Sequence, residues 1–473
     1  MRKTKIVCTI GPASDKYDIL RELIEKGMNV MRLNFSHGDF EEHGNRIKLV
    51  RQISEELNKN VGIMLDTKGP EIRTKKFEGK VLLNQGDKFV IYTKEDIVGD
   101  STRCSVTYED LYKDVEVGGK ILIDDGLVAL EIEDVEDGKI SCIVLNSGEI
   151  SSNKGVNLPK SKIKLPALTE KDKNDLLFGI KNDVEYVAAS FIRKSDDVIQ
   201  IRKFLDLNGG DFIKIISKIE NQEGLDNIDE IIDSSDGIMV ARGDLGVEIP
   251  IENLPHWQKL IIKKCNDRGK FVITATQMLD SMIRNPRPTR AEASDVANAI
   301  HDGSDAVMLS GETANGKYPL EAYEIMDKII VTTEQSLDYE GKLQKKLSKI
   351  EYKDVPNTIA LFSCTTANEV GAKAILACTK SGVTAKFVSR FRPECPIISI
   401  TQMKKVARML SIYWGVYTQT ISETIDNTDM LIDLSVDKAK KEYNFKDGDL
   451  VVVSASVPAN FKGHTNMLKV HEI

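Results

Sequence analysis

Eight short apolar runs recur between Lys5 and Leu309, and each is followed by a segment whose apolar residues have helical spacing. The runs are Lys5 to Ile10, Asn29 to Phe35, Val61 to Leu65, Val184 to Ala188, Phe212 to Ile216, Gly237 to Val240, Phe271 to Ala275 and Ala306 to Leu309. Eight strand and helix units predict an α/β fold of the (β/α)8 TIM-barrel class. In that class the functional groups collect at the carboxyl ends of the strands, here called the rim.

The fifth and sixth runs lead to the clearest candidate site. Lys218 and Glu220 alternate with Ile219, so on an extended strand both charged side chains point to the same face. Asp244 follows the sixth run, and in a right-handed βαβ unit the carboxyl ends of the two strands lie side by side. Two carboxylates suit Mg²⁺, which completes its coordination with water and substrate oxygens. A solvated salt-bridge cluster is the alternative interpretation.

Polar side chains also stand at the ends of other runs. Those of the second, third and seventh runs are Arg32, Asn34, Ser36, His37, Asp66, Thr67 and Thr276. Any one of these ends could simply mark where a strand stops. Because the pattern repeats around the whole barrel, it favours an active-site rim over separate surface clusters.

Between Glu71 and about Leu165 the pattern changes to short β runs separated by Gly and Asp turns, which predicts a small all-β domain. We call residues 71–165 the β insert. Because the third barrel run precedes it and a helix with a capping box at Thr169 and Asp172 follows it, the β insert must interrupt a loop of the rim. A hinged lid over the site would sit there.

After Gly341 the pattern predicts a second, open α/β sheet. Its predicted strands are Thr358 to Phe362, Thr384 to Phe387, Ile397 to Ile400 and Leu450 to Val453. The predicted domains are therefore 1–70 and 166–340 for the barrel, 71–165 for an inserted β-barrel lid, and 341–473 for the C-terminal α/β domain.

Composition excludes several classes of protein. The net charge of -8 and the pI near 5.6 argue against non-specific nucleic-acid binding. The seven cysteines never form a CxxC pair, so neither a disulfide framework nor a zinc site is indicated, and a reducing cytoplasm is expected. The apolar run after Lys3 is too short for a signal peptide and no run is long enough to cross a membrane, so we expect a soluble protein.

Longer motifs carry a resemblance to a known family. They are MRLNFSHG from Met31, LDTKGPEIRT from Leu65, SKIENQEG from Ser217, ARGDLG from Ala241, and ATQMLDSM from Ala275 followed by PTRAEASDVANAI. In this order and over nearly the whole chain they resemble the pyruvate kinase family. The resemblance implies transfer of the phosphoryl group of phosphoenolpyruvate to ADP, giving pyruvate and ATP in the last step of glycolysis. It also implies a regulatory C-terminal domain and a cytoplasmic homotetramer.

The resemblance also implies roles for individual residues. Mg²⁺ (or Mn²⁺) would be held by Glu220 and Asp244, and K⁺ by Asn34, Ser36, Asp66 and Thr67. The substrate would be bound by Arg32, Lys218, Gly243, Asp244 and Thr276, of which Arg32, Lys218 and Thr276 would act in catalysis. The nucleotide would contact Asn34, His37, Arg73 and Lys154.

Two regulatory features follow from the same resemblance. Family members that work without K⁺ tend to carry lysine where this chain has Glu71, so we expect K⁺ dependence. A phosphorylated effector would bind the loop Thr379, Lys380, Ser381, Gly382, Val383 and Thr384, which follows a helical pattern through Val370, Ala374 and Ala377. Some sugar-bisphosphate-regulated members have arginine in place of Val383, which leaves a bisphosphate, a sugar monophosphate and AMP as candidates. A plain turn without a ligand is the alternative.

Two other functions use similar residues. A magnesium-dependent lyase or aldolase acting on a 2-keto acid would use the same Lys, Glu and Asp, but it would need no nucleotide contacts at Arg73 and Lys154. A metabolite sensor without activity would have lost rim motifs, and those at Arg32, Lys218, Glu220, Asp244 and Thr276 are intact.

Overall fold

The computed structural model describes residues 1–159, 161–348, 354–423, 425, 427–458 and 465–473. The chain begins with three strands and two helices of a barrel. These are β1 (Lys5–Thr9), α1 (Tyr17–Glu25), β2 (Val30–Asn34), α2 (Phe40–Glu56) and β3 (Gly62–Asp66). The three strands are almost wholly buried, as expected for a parallel sheet covered by helices on its outer face.

The β insert interrupts the barrel after β3. Its elements are β4 (Val81–Leu83), β5 (Lys88–Tyr92), β6 (Arg103–Ser105), α3 (Leu111–Asp114), β7 (Lys120–Ile123), β8 (Val128–Glu136), β9 (Lys139–Val144), β10 (Gly148–Ile150) and β11 (Val156–Asn157). Six of the strands form one sheet and β4 pairs with β10. Buried and less buried residues alternate along β5 and β9, so the sheet has one apolar face. That face has its own hydrophobic core.

The barrel resumes with a helix whose N-terminus is closed by the predicted capping box of Thr169 and Asp172. The elements are α4 (Glu170–Lys181), β12 (Tyr186–Ala189), α5 (Ser195–Leu207), β13 (Lys214–Ile219), α6 (Gln222–Asp226), α7 (Ile228–Ser234), β14 (Gly237–Ala241), α8 (Arg242–Glu248), α9 (Leu254–Arg268), β15 (Phe271–Ala275), α10 (Arg290–Asp302), β16 (Ala306–Leu309), α11 (Gly311–Ala314) and α12 (Pro319–Glu334). Short 3₁₀ helices cover Ile251–Asn253 and Asp280–Ile283.

The barrel strands close in the order β1, β16, β15, β14, β13, β12, β3, β2, and every pair is parallel. The predicted TIM-barrel class is therefore confirmed. Register places Asn34 opposite Asp66 and Lys218 opposite Met239, so the polar residues after β2, β3, β13 and β14 meet at one rim.

The C-terminal domain contains an open five-stranded sheet, as predicted, in the order β19, β18, β17, β20, β21. Its elements are α13 (Tyr339–Leu347), α14 (Val355–Glu369), β17 (Ala374–Cys378), α15 (Val383–Arg390), β18 (Ile397–Thr401), α16 (Lys404–Met409), β19 (Val416–Thr420), α17 (Thr428–Tyr443), β20 (Leu450–Ala455) and β21 (Met467–Glu472), with a 3₁₀ helix at Leu410–Ile412.

Two of its predicted strands are wrong. Thr358 to Phe362 lies within α14, which Asp354 caps by accepting a hydrogen bond from Asn357 N–H, and Thr384 to Phe387 lies within α15. The strand between these helices is Ala374–Cys378, where Val370, Ala374 and Ala377 had indicated a helix. Apolar runs this short do not distinguish a buried strand from a buried helix, and here the fully buried run is the central strand.

The C-terminal domain covers the amino ends of the barrel strands, here called the base. One hydrophobic cluster joins the two domains and includes Tyr186, Phe271 and Tyr413. Tyr186 donates a hydrogen bond from its hydroxyl to Met409 O at 2.5 Å, and Phe271 packs edge-on against Tyr413. The base is therefore closed by protein, and the rim is the end open to ligands.

Candidate active site

Lys218 lies at the centre of the rim and is held by three acceptors. Its Nζ is 2.9 Å from Glu220 Oε1, 3.1 Å from Asp66 Oδ1 and 2.7 Å from Ser190 Oγ. Ile219 packs in the core outside the barrel, as the alternation predicted. Burial alone would lower the pKa of Lys218, but the charges of Asp66 and Glu220 outweigh burial and raise it, so the ammonium stays charged.

Arg32 reaches the same acidic centre from β2. Its Nε donates to Asp66 Oδ2 at 2.6 Å and its Nη1 donates to Thr9 Oγ1 at 3.0 Å. Burial would raise the pKa of Asp66, but the positive charges of Arg32 and Lys218 outweigh it and hold that pKa below its usual value. Nη2 of Arg32 has no hydrogen-bond partner in the described part of the chain, so one arm of the guanidinium fork is available to an anion.

The two predicted magnesium ligands have different surroundings. Glu220 is almost fully buried, and its Oε2 accepts a hydrogen bond from Phe191 N–H at 2.6 Å. Asp244 is half-buried in the first turn of α8, and in the described residues it has no hydrogen-bond or ion-pair partner. Burial raises the pKa of Glu220 to about 7; Lys218 opposes this rise and the charge of Asp244 adds to it.

These two carboxylates fit a divalent cation, because a cation between them would relieve their repulsion and give Asp244 a partner. No group of three or more His, Cys, Asp or Glu side chains able to hold a metal ion occurs within the described ranges. Two protein carboxylates with water and substrate oxygens are, however, the coordination that Mg²⁺ commonly adopts.

The residues predicted to hold K⁺ lie at the ends of β2 and β3. Asn34 is the register partner of Asp66, and Asn34 Oδ1 accepts a hydrogen bond from Ser36 N–H at 3.1 Å. Thr67 Oγ1 accepts from Ser190 N–H at 3.2 Å. The four residues thus lie at the ends of the neighbouring strands β2 and β3, and each carries a side-chain oxygen, the type of ligand that a monovalent cation needs.

Thr276 has a strained backbone. Its φ of 65° lies in the left-handed region, which is costly for a β-branched residue and is concentrated at functional sites. Arg242 supports the turn by donating to Thr276 O at 2.7 Å. The Thr276 hydroxyl donates to Ala275 O and accepts from Gly243 N–H at 2.8 Å, so the predicted substrate residues Gly243 and Thr276 are in contact.

A cavity of about 350 Å³ lies between the rim and the β insert. Arg73 and Lys154 reach it from the β insert, where Arg73 Nη1 donates to Asn153 O at 2.6 Å, and Asp244 reaches it from the rim. His37 and Asn34 are not among the described residues that line the cavity, and the His37 side chain is exposed. Of the four predicted nucleotide contacts, two therefore share this cavity and two do not.

The cavity is acidic overall, since seven carboxylates and four cationic side chains line it. The carboxylates are Glu71, Asp124, Asp125, Glu223, Asp226, Asp244 and Glu248. Burial, followed by the charge of Asp244, raises the pKa of Asp125. A nucleotide phosphate chain would be repelled unless cations accompanied it, which agrees with a site that works with metal ions.

Three residues after β12 were not predicted from the sequence. Ser190 accepts a hydrogen bond from Lys218, and Phe191 N–H donates one to Glu220. Arg193 donates hydrogen bonds to two carbonyls of the β insert, Ile163 O and Leu165 O. Their position at the end of the fourth barrel strand was the available signal, because the carboxyl ends of the other strands supply the rest of the site.

The predicted effector loop connects β17 to α15. Gly382 has a φ of 88° and precedes the helix, and its N–H donates to Thr379 Oγ1 at 2.9 Å. Lys380 and Ser381 are exposed, whereas Thr384 is buried and its hydroxyl is 2.8 Å from that of Thr465. The loop thus follows a strand and not the helix that the sequence had indicated.

Fold and site together indicate an enzyme of the (β/α)8-barrel class, with a buried lysine and a pair of carboxylates at its open rim. Family models described as "Pyruvate kinase, barrel domain" and "Pyruvate kinase, alpha/beta domain" match residues 1–323 and 357–471. The chain belongs to the pyruvate kinase family. It is a phosphotransferase of glycolysis, and its substrates are phosphoenolpyruvate and ADP, with pyruvate as a product.

Individual relatives agree with this assignment. The chain is 56% identical to a pyruvate kinase of Clostridium acetobutylicum over the full length of both proteins. It is 52% identical to a pyruvate kinase of Geobacillus stearothermophilus, of which it covers 80%. A crystal structure of a pyruvate kinase from Cryptosporidium parvum matches with a TM-score of 0.95 at 42% identity, over 100% of this chain and 96% of that one.

The family excludes the lyase and the inactive sensor as main functions. No helix in the described ranges is long and apolar enough to cross a membrane.

Proposed function

We propose that the rim residues carry out phosphoryl transfer in the roles that the resemblance implies. The observation that carries the proposal is the position of Lys218, a buried ammonium that contacts Asp66, Glu220 and Ser190 at once. All three donor positions of its ammonium are used. Lys218 must therefore release one acceptor to contact a substrate oxygen, and Glu220 is the acceptor that a cation would take.

Each residue then has a separate task. Arg32 binds the substrate phosphate with its free Nη2, and Lys218 stabilises negative charge on the phosphoryl group in transit and on the enolate left behind. Thr276 belongs to the path that protonates the enolate carbon, for which its hydroxyl must turn away from Ala275 O. Arg73 and Lys154 bind the nucleotide, together with Asn34 and His37 once the β insert closes as a lid.

Metal ions complete the proposed site. Glu220 and Asp244 would hold Mg²⁺ (or Mn²⁺), while Asn34, Ser36, Asp66 and Thr67 would hold K⁺. When bound, the divalent ion neutralises charge on the phosphoryl oxygens and the substrate carboxylate. The open carboxylate of Asp244 and the acidic cavity support this proposal.

A coupled assay of pyruvate formation tests the proposal, with Mg²⁺ present and K⁺ replaced by sodium or an organic cation. We expect low activity without K⁺. Glu71 is negatively charged and stands at the position where a lysine ammonium could take the place of the ion. Glu71 is also 2.6 Å from Arg73 Nε, so Glu71→Lys would change the Arg73 contact as well. Glu71→Lys should reduce the K⁺ dependence, while Glu78→Lys on the exposed β insert should not. Full activity without K⁺ would contradict the potassium site.

We also propose that the loop 379–384 binds a phosphorylated metabolite. The exposed Lys380 and Ser381 and the N-terminus of α15 present donors suited to phosphate. Effector and phosphoenolpyruvate would then raise each other's affinity by the same factor, a coupling of about 1 to 3 kcal/mol.

The effector proposal is tested by titrating phosphoenolpyruvate with and without fructose 1,6-bisphosphate, ribose 5-phosphate, glucose 6-phosphate and AMP. Because Thr384 is buried, Thr384→Glu would disturb packing, so Lys380→Glu is the sharper variant. Lys380→Glu should abolish activation and leave kcat at saturating phosphoenolpyruvate near normal. Lys373→Glu, at the other end of β17, should keep activation. Activation that survives Lys380→Glu would exclude this loop.

We also propose the predicted domain boundaries, a homotetramer and a cytoplasmic location. Family membership supports each of them. Analytical ultracentrifugation at working concentration would test the assembly, since a species of four chains is expected and a stable monomer would contradict it.

A further inference from the structure

The segment Ser190 to Arg193, which follows β12, contacts both the catalytic centre and the β insert. At one end, Ser190 Oγ accepts from Lys218 Nζ at 2.7 Å, and Phe191 N–H donates to Glu220 Oε2 at 2.6 Å. Phe191 has a φ of 57°, in the left-handed region that non-glycine residues seldom adopt. The strained turn aims this N–H at the carboxylate, which indicates a functional constraint on its geometry.

Residues 190–193 also lie beside both connections between the barrel and the β insert. In the outgoing connection, a Cβ at Gly69 would come within 2.8 Å of Ser190 Cβ, so the two backbones pack closely. In the returning connection, Ile163 O accepts a hydrogen bond from Arg193 Nη1 at 2.6 Å and Leu165 O accepts one from Nη2 at 2.5 Å. Residues 190–193 therefore contact both connections.

Arg193 is buried in the barrel and is held there by hydrogen bonds. Its side chain is 9% exposed, and its backbone N–H donates to Asp197 Oδ2 at 3.0 Å. Asn227 Nδ2 donates to Arg193 O at 2.9 Å. Ile163 and Leu165 in turn pack against the hydrophobic core of the β insert. The contact thus joins the rigid part of one domain to the rigid part of the other.

The carbonyls of Ile163 and Leu165 are two residues apart, and the two arms of the Arg193 guanidinium bind both at once. The guanidinium therefore restrains this connection at two points, whereas an ammonium would restrain it at one. Hydrogen bonds from a buried charged donor are also stronger than neutral ones.

We propose that Arg193 is a positioning residue for phosphoryl transfer. It ties the returning connection of the β insert to the turn that contacts Lys218 and Glu220, and so couples the position of the lid to the geometry of the catalytic centre. The proposal rests on the catalytic roles assigned above to Lys218 and Glu220.

Arg193→Met tests the coupling, because it removes the fork and keeps much of the side-chain volume. We expect the KM for ADP to rise and kcat to fall, each by about tenfold, since the nucleotide contacts Arg73 and Lys154 lie on the β insert. The KM for phosphoenolpyruvate should change less. Arg202→Met is the matched control, because Arg202 also donates to a backbone carbonyl, Ile213 O at 2.8 Å, but lies at the base.

Trypsin cleavage gives a readout that does not depend on activity. Lys162 and Lys164 are exposed beside the two carbonyls that Arg193 holds, so loss of the fork should speed cleavage after them by about tenfold in the folded protein. Arg193→Lys keeps the positive charge beside Asp197 and can bind one of the two carbonyls. Its cleavage rate and kinetic constants should lie between those of the unchanged protein and of Arg193→Met. If Arg193→Met fails to fold, Arg193→Lys provides the test.

The outcomes separate the two proposals. If Arg193 variants match Arg202→Met in kinetics and cleavage, or if all tryptic sites become equally labile, the proposal for Arg193 is wrong and the arginine is structural. If Lys218→Met measured alongside keeps normal kcat, the assignment of the catalytic centre itself fails, whatever Arg193 does.

Discussion

The rim and the base of the barrel both bury charged side chains, but they satisfy those charges differently. At the base, Glu185 is fully buried and accepts hydrogen bonds from Arg51, from Arg408 of the C-terminal domain and from Ile63 N–H. Arg392 pairs in the same way with the buried Asp305, at 3.0 Å. Both buried carboxylates, Glu185 and Asp305, are therefore paired with arginines of the protein.

At the rim the partners are incomplete. Asp244 and one arm of Arg32 have no partner in the described chain, Thr276 and Phe191 have strained backbones, and Phe191 and Asp244 line a cavity. The paired carboxylates at the base give stability and fix the C-terminal domain on the barrel, whereas the unpaired carboxylate of Asp244 at the rim leaves binding capacity for a ligand. A buried ionic network therefore indicates a functional site where one of its carboxylates lacks a partner.

The largest expected effect concerns the rim. Lys218→Met should lower kcat by about three to four powers of ten, roughly 4 to 5 kcal/mol, and change KM much less, because Lys218 acts on charge that develops in the transition state. Lys214→Met on the same strand, at the base, should keep kcat near normal. Steady-state kinetics measure both, and a near-normal kcat in Lys218→Met would remove Lys218 from the mechanism.

A smaller effect, on stability, is expected at the base. Glu185→Gln places an amide donor against two guanidinium groups and should destabilise the barrel by about 3 kcal/mol. The measurement is the urea midpoint of the transition that unfolds the barrel. Glu324→Gln, which breaks a surface pair with Lys26, should shift that midpoint by much less. Equal shifts in the two variants would show that the buried network adds no stability.

The smallest effect per pH unit concerns Lys5, whose Nζ donates to Val416 O at 2.5 Å beneath the C-terminal domain. Burial, with a contribution from Arg2, lowers the pKa of Lys5 to about 7 from an ordinary 10.5. Between these pH values the unfolded chain binds a proton that the folded chain lacks, so stability should rise with pH from about 7 to about 10. The slope from Lys5 is at most about 1.4 kcal/mol per pH unit.

Lys5→Met should remove this part of the slope and leave the rest of the pH profile unchanged. Denaturation midpoints of both proteins, measured across that range, give the difference directly. Parallel profiles would mean that Lys5 keeps its proton in the fold.

Much of the fold could be predicted from the sequence because its periodicities are strong. The eight barrel runs, the β insert and the alternation of Lys218 with Glu220 follow from strand geometry alone. The strands of the C-terminal domain were harder, because AILAC at Ala374–Cys378 and the apolar part of α14 are similar short runs.

The site shows the same division. Residues at the carboxyl ends of strands, such as Arg32, Asp66 and Glu220, could be placed at the rim from the strand pattern, and their roles came from the family resemblance. Phe191 could not be predicted, because its contribution is a backbone N–H in an unusual conformation that no residue type encodes. The carbonyls bound by Arg193 belong to a distant part of the chain, and their approach depends on how the β insert packs.

The most direct test of the account measures kcat and the urea midpoint on the same preparations of Lys218→Met and Glu185→Gln. Opposite outcomes are expected for the two variants. Lys218→Met should lose nearly all kcat with a small change in stability, since Asp66 keeps Arg32 and Glu220 keeps Phe191 N–H. Glu185→Gln should lose stability with kcat near normal below its unfolding transition. If instead both variants lose activity and stability in proportion, the division between a functional rim and a structural base is wrong.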